Sequence, residues 1–191
     1  MKALLSTITL FTLATLLAPS GFAADGHHTH GKDPMTEQIS KLSGSEFEVA
    51  FLAMMIHHHE GGVQMARLAQ EKAQSPDLKA MSIKMQADQS KEIAQMTGWL
   101  KDWHKQTPAT HKMPEAGMKM MEKDMAALQA ADGREFDKLY ATKMAHHHVG
   151  AIDMAKLAVD RAEHQEVKDL AKRIISTQGE EREKLLETSG K

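Results

Sequence analysis

Two runs of three histidines, His57-His58-His59 and His146-His147-His148, carry the densest metal-ligating chemistry in this 191-residue chain. Each run has methionine close by: Met55 and Met65 around the first, Met144 and Met154 around the second. Imidazole nitrogen with thioether sulfur is a soft donor set that selects Cu(I), or Ag(I) as its mimic, with Cu(II) a further candidate for the histidines. Met55 lies one helical turn from His59, and Met144 repeats that spacing to His148. Met65 and Met154 lie two turns from His58 and His147. The chain has no Cys, which excludes tetrathiolate zinc and the usual iron–sulfur sites.

Consecutive helical residues point about 100° apart, so three adjacent histidines cannot share a face. The wheel puts His58 and His59 on the inward side with Phe47, Phe51, Met54, Met55 and Met65, and His57 on the polar side with Glu46, Gln64 and Glu71. In the second run His147 and His148 fall inward with Phe136, Tyr140, Met144 and Met154, and His146 falls outward. Gln89 and Glu92 lie on the stripe of Met85, Ile93 and Met96, and Gln178 and Glu181 on the stripe of Ile174 and Leu185. A carboxylate on an apolar face is costly unless paired, and the inward histidines are its natural partners. Glu or Gln accepting a ring N–H would orient a metal-bound imidazole. The alternative is a purely structural hydrogen-bond network that fixes helix register. The recurrence of the whole constellation, with Met beside it each time, favours ligation.

Accessory sites are also candidates. Met113, Met118, Met121 and Met125 gather within a few turns, and the last three share one helix face, where they would otherwise only cover apolar surface. His27, His28 and His30 could capture Cu(II) or be a solvated tail. His104 and His111 flank a linker and read as exposed.

Positioning these groups requires long helices. Ser45 with Glu48 reads as a capping box, and apolar residues then recur at helical spacing to Leu68. Ser75-Pro76 is a cap followed by proline at the first helical position. Thr107 to Pro114 is a linker, Glu115 to Ala130 a Met-rich helix, and Asp132 with Glu135 a second capping box. A shift of 89 positions lays the second half on the first without a gap: Phe136 on Phe47, the second His run on the first, Gly150 on Gly61, Met154-Ala155 on Met65-Ala66, Gln178 on Gln89 and Glu181 on Glu92. Two copies of one helical hairpin, each apolar on one face, bury themselves by packing together. The expectation is an all-α four-helix bundle with a pseudo-two-fold axis and a short extra Met-rich helix in the connection. The organisation is a signal peptide over 1–23, a His-containing disordered tail over 24–44, and a bundle over 45–189. The bundle divides into repeat 1 (45–105), linker and Met-rich helix (106–131) and repeat 2 (132–189).

The segments Met55-Ile56-His57-His58-His59-Glu60-Gly61-Gly62-Val63-Gln64-Met65-Ala66 and Met144-Ala145-His146-His147-His148-Val149-Gly150-Ala151-Ile152-Asp153-Met154-Ala155 resemble the paired His-His…Met-Ala signatures of the family called domain of unknown function 305. Gln89 to Ile93 and Met96 to Leu100 fit its second-helix pattern, and the resemblance spans about Ser45 to Leu186. It implies a ferritin-like fold. Through the exported, copper-binding (CopM-like) members, it also implies a periplasmic copper-binding or resistance role. The family pattern usually has Pro where His57 and His146 stand here.

The leading expectation is therefore an exported, non-enzymatic protein that sequesters or transfers periplasmic copper, with a copper exporter or another periplasmic copper protein as candidate partner. A ferritin-like di-metal redox enzyme would need inward Glu ligands and a Glu-x-x-His pair. No Glu lies three residues before any His, which leaves Glu92 and Glu181 as bridging carboxylates. A non-covalent haem carrier is a third reading, since Cys-x-x-Cys-His is absent. The net charge of −2 does not suggest nucleic acid or an anionic membrane as partner. Periplasmic or secreted location rests on Lys2, the apolar stretch Leu4 to Leu17 and the small residues Gly21 and Ala23, which predict cleavage after Ala23 and no membrane insertion thereafter. N-terminal sequencing of the exported protein should begin at Ala24. Full-length protein retained in the membrane would contradict export.

Overall fold

The computed structural model describes residues 33–189, so the leader and His27, His28 and His30 lie outside the described residues. Their regular structure is helical, with no strand among the described residues. Their elements are α1 (Pro34–Ile39), α2 (Gly44–Lys72), α3 (Pro76–His104), a 3₁₀ turn (Pro108–Thr110), α4 (Glu115–Ala130), α5 (Gly133–Arg161) and α6 (Gln165–Ser189). None is long and apolar enough to cross a membrane.

Helix α2 packs on α3, α5 packs on α6, and the two pairs meet mainly through α2 and α5. Several helix starts fall 89 positions apart. Gly44 and Gly133 open α2 and α5, both with positive φ (58° and 61°) that glycine adopts without strain. Pro76 and Gln165 open α3 and α6 in the same register.

The core forms two apolar clusters. One takes Phe47 to Ile56, Met96, Leu100, Ala151 to Ala162 and Val167 to Ile174. The other takes Met65 to Ala73, Leu78, Met85, Leu128, Phe136 to Ala145 and Leu185. The first half of α2 and the second half of α5 thus share one cluster, so the two helices run antiparallel. Between the clusters, on all four long helices, lie the polar residues 58–59, 89–92, 147–148 and 178–181.

Contacts between the halves are reciprocal. Lys72, closing α2, sits 5.6 Å over the Phe136 ring, and Arg161, closing α5, sits 5.9 Å over Phe47. Lys72 also donates to the Gln129 carbonyl, and Arg161 to the Ser40 carbonyl. Phe47 stacks on Phe51 and Phe136 on Tyr140, with centroids 6.1 and 6.0 Å apart. Asp137 on α5 accepts the backbone N–H groups of Gln74 and Ser75 before α3, at 2.9 Å each. Glu48 on α2 accepts those of Glu163 and His164 before α6, at 2.7 and 2.8 Å. Each half thus clasps the turn of the other.

Three expectations are corrected. The tail over 24–44 is not irregular throughout, because α1 folds within it. Asp33 caps α1 by accepting Thr36 N–H at 2.9 Å, and Met35 and Ile39 are buried. Ser40 and Gln129, 89 positions apart, each lend a carbonyl to the cation that closes α5 or α2. Neither proposed capping box forms. Helix α2 starts two residues earlier, at Gly44 after the N-cap Ser43, and Glu48 is fully buried and committed to the crossed clasp. The Asp132 side chain bonds no helix N–H, and it pairs instead with Lys72 at 3.0 Å. Ser75 does cap α3, accepting Leu78 N–H at 3.3 Å.

Removing a partner from backbone donors in a partly buried turn costs about 1–3 kcal/mol. Asp137→Ala should lower unfolding free energy by an amount in that range in urea titration. An unchanged midpoint would mean that the clasp does not hold the halves together.

Candidate metal centre

The polar layer between the apolar clusters holds the inward histidines. His59 and His148 are fully buried and His58 nearly so. His58 and His147, one from each half, face each other with centroids 3.7 Å apart and planes 33° apart. His59 Nε2 lies 2.8 Å from Glu92 Oε2, and its counterpart His148 Nε2 lies 3.2 Å from Glu181 Oε2, the latter without hydrogen-bond alignment. Gln89 and Gln178 are buried beside them. Gly62 makes room for Gln89, since any side-chain carbon there would collide with the Gln89 amide.

The layer is under-satisfied. Buried ring nitrogens without a hydrogen-bond partner are Nδ1 of His58, Nδ1 of His59, and both nitrogens of His147 and His148, together with the Gln89 amide and Gln178 Oε1. Each such group normally costs free energy. Neutral imidazole with an open lone pair is, however, the form a metal requires. Burial, reinforced by the His147, His59 and His148 rings, pushes the His58 pKa well below its ordinary 6.5. Burial, with His148 and His59 adding to it, pushes His147 down to about 3. Two lone pairs are thus kept free of protons at neutral pH.

Met55 and Met154 lie buried in one apolar cluster and Met65 and Met144 in the other, so each half contributes one thioether above the layer and one below it. The third histidine of each run turns away. His146 is exposed. His57 is half-buried: its Nε2 lies 3.2 and 3.1 Å from the carbonyls of Pro108 and His111, which pins the linker to α2, and its Nδ1 lies 3.2 Å from Glu60.

The Met-rich segment belongs to the same neighbourhood. Met113, Met118, Met121 and Met125 line a cleft of about 300 Å³ against α2, with His57, Glu60 and Gly61. At Gly61 the cleft meets the buried layer. A side-chain carbon on Gly61 would overlap the Met121 methyl and lie 3.1 Å from its sulfur and 3.6 Å from His147 Nε2. Both donors therefore close on the same bare backbone position. On the opposite side a carbon on Gly150 would lie 3.0 Å from His58 Nε2 and 3.6 Å from Asp33. Glu92 carries the layer outward a third way, into a charged groove of about 580 Å³ between α3 and α6, lined also by Lys84, Asp88, Lys91 and Arg173.

Reading His104 as an exposed linker residue is corrected. Its side chain is 8% exposed and bonded to Glu48 at 3.0 Å. His164, which helical periodicity did not single out, joins the same carboxylate at 2.6 Å. The available signal was Glu48 itself, a lone carboxylate in the apolar run Phe47 to Leu52.

The described residues thus form an all-helical protein whose buried, under-satisfied imidazole layer opens on a thioether cleft. The chain belongs to the family described as domain of unknown function (DUF305), whose model matches residues 20–100 and 48–188. It is similar to the structure of CopM in the Cu(II)-bound form, at 28% identity over 75% of this chain and 96% of that one, with a TM-score of 0.64. CopM in the Cu(I)-bound form matches at 28% identity over 73% and 93%, with a TM-score of 0.63. A DUF305 fragment from Deinococcus radiodurans matches at 26% identity over 75% and 95%, with a TM-score of 0.68. No curated protein sequence matches the chain.

The buried imidazoles set an acid dependence. The native rings refuse a proton that the unfolded chain accepts near pH 6.5, so their contribution to stability is complete above 6.5 and is lost as pH falls towards 3. Each ring contributes a slope of up to about 1.4 kcal/mol per pH unit. The metal-free protein should lose stability between pH 6.5 and 5, and His147→Gln should flatten that limb. Equal slopes in denaturant titrations of both proteins would show that His147 is protonated in the native state.

Proposed function

We propose that this protein binds soft metal ions, copper above all, as an exported protein that sequesters or transfers periplasmic copper. The observation that carries the reading is the meeting of Met121 sulfur and His147 Nε2 over Gly61, where surface thioethers adjoin buried imidazoles that lack partners. Thioether and imidazole are donors that suit copper, and thioether selects Cu(I). Met113, Met118 and Met125 would receive the ion at the surface, and Met118 is 45% exposed. His58, His59, His147 and His148 would hold it inside, with Met55, Met65, Met144 and Met154 above and below. Glu92, Glu181, Gln89 and Gln178 would orient the rings. The CopM structures determined with Cu(I), Cu(II) and silver support this choice of metal.

The fold fits the ferritin-like four-helix bundle of repeated hairpins, on the support of the 89-residue register and the crossed contacts. The reading is binding rather than catalysis. His59 already engages Glu92 at 2.8 Å, so that carboxylate orients a ring instead of bridging two metals, and Glu181 stands 3.2 Å from His148 in the other half. A copper exporter or another periplasmic copper protein is the partner class this role implies.

Cu(I) and Ag(I) should bind more tightly than Zn(II) in competition with a chelator, because thioether sulfur is soft. Gly61→Ala and Met121→Leu should each weaken Cu(I) retention at least tenfold. Gly98→Ala, where the added carbon meets open space, should change nothing. Wild-type Cu(I) affinity in both the Gly61→Ala and the Met121→Leu protein would sink the idea that cleft and layer act as one site. Equal retention of Zn(II) and Cu(I) would point to histidine ligands alone.

A further inference from the structure

We propose that Glu48, His104 and His164 form a second metal site, for a borderline divalent cation of the Cu(II) or Zn(II) class, separate from the soft imidazole–thioether centre. One ligand atom from each residue lies within 4.8 Å of the other two. Glu48 Oε1 is 3.0 Å from His104 Nε2 and 2.6 Å from His164 Nδ1. Two imidazoles and a carboxylate are a nitrogen–oxygen set suited to borderline cations and not to Cu(I). Ligands about 2.0–2.1 Å from a tetrahedral zinc stand about 3.3 Å from one another. To reach that spacing the His104 contact must open by about 0.3 Å and the His164 contact by about 0.7 Å, within the reach of side-chain rotation. Glu48 lies ten residues before His58 on α2, about 15 Å along the axis, so the two centres share no ligand.

The crossed clasp shows that these histidines are additional to structure. At the equivalent place in the other half, Asp137 holds the turn with no imidazole: Ser75 stands at the position of His164. Glu48 needs only Oε2 for its two backbone N–H groups, which leaves Oε1 to face both rings. Ser45 Oγ lies 3.4 Å from His104 Nδ1 and can donate to it or accept from it. His104 can therefore move its ring proton to Nδ1 and release Nε2 to a metal without losing that partner. Glu48 is fully buried, whereas the His164 side chain is 37% exposed, which gives the ion a route in and leaves room for water as a further ligand. Both tryptophans of the chain adjoin the site. Trp103 stacks on His164 with centroids 4.1 Å apart, and Trp99 stacks on Trp103 at 5.1 Å.

This placement supplies the readout. The full mature chain is used, with His27, His28 and His30 changed to Ala so that the tail does not compete. Adding Cu(II) should quench most of the tryptophan emission at one equivalent, and Zn(II) should compete that quenching away. His104→Gln and His164→Gln can still donate an N–H to Glu48, and each should weaken the quenching titration at least tenfold. Their circular dichroism and melting in chelator should stay close to the parent. Absence of quenching in the parent overturns the proposal without reference to any variant. Quenching that persists unchanged in both Gln variants also overturns it, by placing Cu(II) elsewhere.

Discussion

Burying a layer of imidazoles, amides and carboxylates between two apolar clusters is the constraint on which the rest of this structure depends. Such groups lose hydration on burial and regain it only through specific partners. His59 and Glu92 satisfy part of that need. Most of the layer does not, and several buried ring nitrogens have no hydrogen-bond partner from the protein. The apolar residues above and below must supply the free energy that keeps the layer inside. They are correspondingly complete: Phe47, Phe51, Phe136, Tyr140 and the flanking methionines Met55, Met144 and Met154 are fully buried. Methionine suits this position, because its flexible side chain fills irregular space beside polar groups and its sulfur remains available as a donor.

The glycines beside the layer set its access. Gly61 and Gly150 occupy equivalent places in the two halves, and each leaves one histidine Nε2 against bare backbone. On the Gly61 side, α4 brings thioethers to that gap. On the Gly150 side the neighbour is Asp33, a carboxylate tied to the cap of α1. The same internal pair of rings therefore meets a soft ligand on one face and a hard one on the other.

Much of this was legible in the chain. The bounds of α4, Glu115 to Ala130, follow from helical periodicity, and the burial of His58, His59 and His148 follows from their places on the wheel. Burial of Gln89, Gln178 and Glu181 was readable from their places on apolar stripes. The Glu48 cluster was not, because its members lie 56 and 116 positions apart and converge only through the crossed clasp. Ser45 and Glu48 have the spacing of a capping box, and local spacing cannot tell a carboxylate that bends back to its own helix from one that reaches a neighbouring turn. His57 shows the same limit: the wheel turned it outward, but only the returning linker explains why it is half-buried.

The antiparallel meeting of α2 and α5, with Lys72 on Phe136 answered by Arg161 on Phe47, has a consequence for how far the two halves can differ. Such a contact resembles an isologous interface, in which the same patch serves both sides. In a symmetric homodimer both sides of that patch must carry the same residues. Joining two such halves covalently removes the obligation that both sides be identical. One linker could then acquire the methionines of α4, and one clasp could acquire His104 and His164, while the opposite side kept the simpler arrangement of Asp137 with Ser75.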